Sequence, residues 1–155
     1  MEPLIVTREI EIDAPAAVVW RFVATAEGMR TWWTMTRHVV LEERPGGRFE
    51  LHVEFPPRVY VISGHVQTYE YPRTFSVTWR EEDGDQGRWP EETLVTFTLS
   101  ERAGRTRITV EHGGFERLPE AYRSAARDSY ERGWTQEEME RLRTLAEQAV
   151  AEGAR

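Results

Sequence analysis

Alternation of apolar and polar residues dominates the middle of the chain, and a helical period dominates its end. Residues 5–12 alternate around Ile10 and Ile12 and predict a strand, which Asp13-Ala14-Pro15 stops. Pro15 suits the first turn of a helix, where its missing N–H costs little. Val19, Phe22, Val23 and Ala26 then recur at helical spacing, with Trp20 beside the stripe. Residues 25–32 predict a second short helix, loosened by Gly28.

From residue 37 the period becomes two. Residues 38–42 predict a strand, and Pro45-Gly46-Gly47 a tight turn. Phe49, Leu51 and Val53 alternate with Glu50, His52 and Glu54, as in an antiparallel strand with one buried face. Phe55-Pro56-Pro57-Arg58 breaks it, and residues 59–69 predict a long strand that turns at Tyr71-Pro72-Arg73. Phe75, Val77 and Trp79 alternate with Ser76, Thr78 and Arg80, and residues 81–92 read as an acidic hairpin loop. Val95, Phe97 and Leu99 share one face of the next strand. After Ala103-Gly104, Thr106, Ile108, Val110 and His112 share one face of the last.

Pro119 opens a helical third that extends to about Ala151. Gly133 is a good helix stop. Thr135-Gln136-Glu137-Glu138 matches a capping box, with Trp134 and Met139 at the two staple positions. Met139, Leu142, Leu145, Ala146 and Ala149 form an apolar stripe backed by charge. The order is strand, two short helices, six meandering strands, long helical segment. A sheet that is apolar on one face needs a cover, and the C-terminal segment is the obvious one. The expected class is α+β: a curved antiparallel sheet of six to seven strands around a C-terminal helix, with a cavity between them.

Composition narrows the chemistry. All 20 basic residues of the 155 are Arg; Lys, Cys and Asn are absent. That excludes Schiff-base lysines, disulfides and thiolate metal sites. A net charge of −7 argues against nucleic acid, whose binding draws on basic surface. No run approaches the ~20 apolar residues of a membrane span. The N-terminus lacks a signal-like pattern, so a cytoplasmic location is expected. The chain is expected to form one domain over residues 1–155, with its core at about 4–150 and a frayed tail.

Several local motifs recur in a telling order. They are Ile10-Glu11-Ile12-Asp13-Ala14-Pro15 with Val18-Val19-Trp20, then Trp32-Trp33, then Pro45-Gly46-Gly47-Arg48-Phe49. Gly64-His65-Val66, Tyr71-Pro72-Arg73-Thr74-Phe75, Trp79, His112-Gly113-Gly114-Phe115 and Gly133-Trp134 follow. Together they resemble the helix-grip fold of the START-like (SRPBCC) superfamily. More narrowly, they are similar to single-domain bacterial members of the family named for the activator of heat shock protein 90 ATPase. The resemblance spans roughly residues 4–150. It implies a cavity for a lipid-like, aromatic or polyketide-like molecule, and it implies no fixed chemistry. It also implies a last helix that runs through Gly133-Trp134, where the capping box predicts a break. Eukaryotic chaperone activators carry a further N-terminal domain not found in these 155 residues, which lowers the expectation of a co-chaperone.

The candidate ligand-binding residues follow from strand parity and aromatic content. Six Trp stand among the 17 aromatic residues, and large rigid rings line pockets well. Phe49, Leu51, Val53, Phe75, Val77, Trp79, Phe97 and Val110 are expected on the inner face. Of Trp32 and Trp33, one is expected to pack and the other to sit near the mouth. Tyr122, Tyr130 and Trp134 would face the cavity from the covering segment. Trp89 is either a loop anchor or part of a lid.

His112 shares the inward parity of Ile108 and Val110 and is the leading polar candidate. It would orient a ligand or, in an enzyme, act as general acid/base in a cyclase, dehydratase or hydrolase. No two His share a helical or strand spacing suited to a metal, so neither metal nor cofactor is expected. The pairs Glu42-Glu43, Glu81-Glu82, Glu91-Glu92 and Glu137-Glu138 read as solvated surface, since neighbours in a strand point to opposite faces. No nucleophile elbow or dinucleotide fingerprint is present. The expected function is therefore binding of a small apolar or amphipathic molecule by a monomer or homodimer. An acid/base enzyme on the same cavity and a chaperone-interaction module are the alternatives.

Overall fold

A computed structural model describes residues 2–33 and 35–153; Ala154 and Arg155 of the expected tail lie outside it. Strand β1 (Val6–Ile12) leads into helices α1 (Ala16–Val23) and α2 (Ala26–Trp32). Six strands follow: β2 (Thr36–Leu41), β3 (Arg48–Phe55), β4 (Arg58–Glu70), β5 (Thr74–Asp83), β6 (Thr93–Arg102) and β7 (Arg105–Gly113). A short 3₁₀ turn (Phe115–Arg117) precedes α3 (Arg123–Gly133) and α4 (Gln136–Ala151). The seven strands form one antiparallel sheet in the order β1-β7-β6-β5-β4-β3-β2. Sequential strands pair by hairpins, and β1 closes onto β7 with Ile10 opposite Ile108. This is the helix-grip architecture.

Pro15 precedes α1 and offers no side-chain cap; the Glu101 carboxylate accepts from the Ala16 N–H at 2.7 Å instead. An acceptor with negative charge suits the exposed N–H groups of a helix start. Thr25 caps α2 from the side chain. Gly28 does more than loosen that helix. A Cβ there would lie 2.0 Å from the Arg21 carbonyl oxygen, so glycine permits α2 to fold back tightly on α1.

The C-terminal segment is broken, as the capping box predicts, and does not run through as one helix. The Thr135 hydroxyl accepts from the Glu138 N–H at 3.1 Å and starts α4 afresh. The end of α3 is clasped from the sheet. Arg8 of β1 donates from Nε to the Trp134 carbonyl at 2.7 Å and from Nη2 to the Glu131 carbonyl at 2.6 Å, and also pairs with the Glu131 carboxylate. A cation at a helix C-terminus meets its unpaired carbonyls.

The core lies between the inner sheet face and α1, α2 and α4. Val18, Val23, Met29, Trp32, Phe97 and Leu142 are fully buried there. These helices pack mainly on β1, β2, β6 and β7. The free end of the β3–β4 hairpin lacks such a cover, and Phe55 at its tip is 50% exposed. Phe55-Pro56-Pro57-Arg58 proves to be a tight turn within a hairpin, with Phe55 opposite Arg58.

Candidate ligand-binding site

A cavity of about 270 Å³ opens where α3 gives way to α4. Val53 and Phe55 of β3 with Tyr60 and Ile62 of β4 form one side, and Met35 and Thr36 continue it at the start of β2. Ser129, Arg132 and Gly133 at the end of α3 form the other. An aromatic wall joins the two. Trp33 lies 4.9 Å from Trp134 and 6.0 Å from Trp79 between ring centroids, and Trp79 and Trp134 are 6.1 Å apart.

One polar chain runs into this wall. The Trp79 Nε1–H donates to the Tyr130 hydroxyl at 2.9 Å, and that hydroxyl donates to Glu81 Oε2 at 2.6 Å. Glu81 is only 5% exposed. Burial raises the pKa of its carboxyl, against the lowering effect of the Tyr130 hydrogen bond. Burial and the adjacent Glu81 charge push the Tyr130 phenol well above its ordinary value. A second pair stands nearby: the Tyr60 hydroxyl donates to Asp85 Oδ1 at 3.0 Å, and both residues line the cavity. Gly84 leaves room for the buried carboxyl, since a Cβ there would lie 2.0 Å from Glu81 Oε1.

The reading of Glu81-Glu82 as solvated surface is corrected for Glu81. Strand β5 runs to Asp83, so Glu81 continues the inward parity of Phe75, Val77 and Trp79 by one further step. That parity was the available signal; the acidic run 81–83 disguised it as loop. Glu82 does face outward, toward Arg88.

His112 sits behind the aromatic wall, fully buried and outside the cavity lining. The Thr93 hydroxyl donates to the Trp79 carbonyl at 2.8 Å and so accepts from His112 Nε2 at 2.8 Å. The Trp134 Nε1–H donates to His112 Nδ1 at 3.1 Å. Both ring nitrogens are thereby engaged in one neutral tautomer. Burial lowers its pKa to about 3.

Of the predicted residues, Trp33, Val53, Trp79, Tyr130 and Trp134 line the cavity. Trp32, Phe49, Leu51, Phe75 and Val77 are buried in the core, as are Phe97 and Val110. Tyr122 is half-buried just before α3. Trp32 and Trp33 are both buried: Trp32 packs with no exposure, and Trp33 stacks on it at 5.2 Å and lines the cavity. Trp89 is a loop anchor, fully buried against Phe115 and Tyr130.

The outer face of the β2–β3 hairpin holds a different cluster. Sheet register sets His38 of β2 opposite His52 of β3, with Glu50 two residues along. Spacing along one strand cannot reveal such a meeting, which is why the sequence shows no converging His.

Fold and cavity together define a helix-grip protein with a cavity of about 270 Å³ beside the α3–α4 junction. The sequence matches the family described as Activator of Hsp90 ATPase homolog 1-like protein over residues 13–147, and the chain belongs to that family. A Nitrosomonas europaea protein superposes with a TM-score of 0.74 at 18% identity, covering 96% of this chain and 97% of the other. A Bacillus halodurans protein does so with a TM-score of 0.64 at 28% identity, covering 94% and 99%. A protein of the dynemicin biosynthetic locus matches with a TM-score of 0.66 at 21% identity over 97% of this chain and 48% of that one. Among curated proteins none matches. No helix among the described residues is long and apolar enough to cross a membrane.

Proposed function

We propose that the cavity binds one small, largely apolar molecule that carries a polar group, such as an aromatic or short amphipathic compound. The carrying observation is the Glu81–Tyr130–Trp79 chain set into a wall of three tryptophans. The indoles offer flat apolar faces, and the carboxyl and phenol offer a place for one polar group. Pockets for small molecules combine these elements in this proportion. At about 270 Å³ the space suits a molecule of one or two rings. Each 100 Å² of apolar ligand surface removed from water would contribute about 2.5 kcal/mol.

Titration of the intrinsic Trp fluorescence with a library of aromatic and short acyl compounds tests this, with native mass spectrometry for stoichiometry. A saturable change at one equivalent is expected, weakened about tenfold in Tyr130→Phe, in line with loss of one buried hydrogen bond. A library that leaves both the fluorescence and the mass unchanged would overturn the proposal.

A second reading, an acid/base enzyme in the same cavity, is favoured by the state of Glu81. A buried carboxyl with a raised pKa, held by a phenol beside an open space, is the form a general acid takes. In this reading Glu81 takes the role that the sequence suggested for His112, whose two nitrogens are already committed. Turnover of an aromatic or polyketide-like substrate should then vanish in Glu81→Gln while binding persists.

A further inference from the structure

We propose that His38, His52 and Glu50 form a surface binding site for a borderline divalent cation such as Zn2+, on the outer face of the β2–β3 hairpin. The donor atoms already converge. Glu50 Oε2 lies 3.1 Å from His52 Nε2 and 3.9 Å from His38 Nε2, and one ligand atom from each residue falls within 4.8 Å of the others. The two imidazoles lie 4.9 Å apart between ring centroids. Zinc binds imidazole nitrogen at about 2.0–2.1 Å, so two donors on one tetrahedral ion stand roughly 3.3 Å apart. Small side-chain rotations close that gap, and the backbone can stay where it is.

The sheet supplies the preorganisation. His38 and His52 are cross-strand partners and Glu50 lies on the same face as His52, so the antiparallel ladder fixes all three origins. Neighbouring Arg48 helps to orient the carboxylate. Its Nη2 donates to Glu50 Oε1 at 2.9 Å and leaves Oε2 to face the imidazoles. An outer partner that orients a ligating carboxylate is a regular part of metal sites. Two nitrogens and one oxygen on one side of an ion suit Zn2+, Ni2+ or Cu2+ and leave positions for water, whereas Mg2+ and Ca2+ favour all-oxygen shells. The side chains are 52%, 36% and 24% exposed in the order His38, His52, Glu50, so an ion can enter from solvent. Strand β2 is an edge of the sheet, and a bound ion would tie it to β3.

The test uses the untagged full chain. Zn2+ is titrated by calorimetry and Co2+ by visible absorption, with Mg2+ as control. One equivalent of Zn2+ should bind, with a Co2+ spectrum of nitrogen and oxygen ligation and no response to Mg2+. Loss of an outer partner costs roughly 10-fold or more in metal affinity, so His52→Ala and His38→Ala should each lose at least that. Glu50→Gln should weaken binding, and His65→Ala, on the same sheet beside Glu92, should leave it unchanged. Zn2+ should raise the melting temperature of the wild type but not of His52→Ala. If His38→Ala unfolds, His38→Gln serves in its place. No saturable Zn2+ binding at millimolar concentration, or equal binding by the His38→Ala/His52→Ala double variant, would overturn the proposal.

Discussion

The two ends of the grip satisfy their buried polar groups in different ways. At the closed end, under α1 and α2, three aromatic or hydroxyl donors find backbone carbonyls. Tyr69 donates to Ala24 at 2.7 Å, Trp32 Nε1 to Phe22 at 2.8 Å and Thr106 to Ala14 at 2.7 Å. At the open end, between the β3–β4 hairpin and α3, the donors turn to titratable side chains: Trp79 to Tyr130, Tyr130 to Glu81, Tyr60 to Asp85. A backbone carbonyl is a fixed partner, whereas a carboxyl can change its proton and exchange its partner for a ligand. Under the proposed binding function, the closed end serves stability and the open end exchange.

The sharpest way to break this comparison is a large deletion at each end. Phe97 has no exposure and stacks on Phe75 at 5.8 Å, with Trp32 and Trp134 at its edge. Phe97→Ala should cost about 3–5 kcal/mol in denaturant unfolding. Equal losses at Phe97 and at the exposed hairpin tip would erase the distinction between the two ends.

Next in size is the pH response at the wall between them. His112 has its folded pKa lowered to about 3 by burial, below the unfolded value of about 6.5. Its stabilising contribution is therefore complete above pH ~6.5. It falls by up to about 1.4 kcal/mol per pH unit as the pH drops from there toward 3, where the unfolded state binds the extra proton. His112→Gln, which keeps a donor for Thr93, should flatten that limb in unfolding measured from pH 3 to 8.

Glu81 runs the other way. Its folded pKa is raised, so it imposes no charge penalty below the ordinary carboxylate range and its full penalty above the folded pKa. Glu81→Gln should gain stability relative to the wild type as pH rises to neutrality, with the two converging in acid. Under the binding reading it should also weaken the ligand's hold on the cavity, whereas the acid/base reading expects binding to persist. A Glu81→Gln variant that loses stability at neutral pH would place Glu81 among the structural groups of the closed end.

The smallest effect belongs to Phe55. Half-exposed at the hairpin tip, it lines the cavity while adding little to the core. Phe55→Ala should change stability by no more than about 0.5 kcal/mol, as is usual for exposed positions. A ligand that covers the hairpin should nonetheless lose affinity, read by the same fluorescence titration.

Much of this was legible from the residues themselves. Period-two alternation marked β3, β5, β6 and β7 and their inward residues, because one face of each strand must be dry. The Thr135–Glu138 pattern marked the break between α3 and α4, because a helix start must satisfy its own N–H groups. The same break lets Trp134 turn into the cavity. Adjacency set Trp32 and Trp33 apart but left open which of them would line the cavity.

What only the tertiary structure decided were the meetings between distant elements. Inward parity correctly turned His112 toward the core, but whether it met a ligand or other side chains depended on Thr93 and Trp134, from β6 and the α3–α4 junction. Glu81 joined the cavity lining because β5 outlasted its acidic appearance and Tyr130 arrived 49 positions later to hold it. His38 and His52 met through strand register. The physical reason is common to all three. Local patterning records which side of its own element a residue faces, because that depends on backbone period alone. The partner on that side is set by how separate elements pack, through contacts that no single stretch of sequence contains.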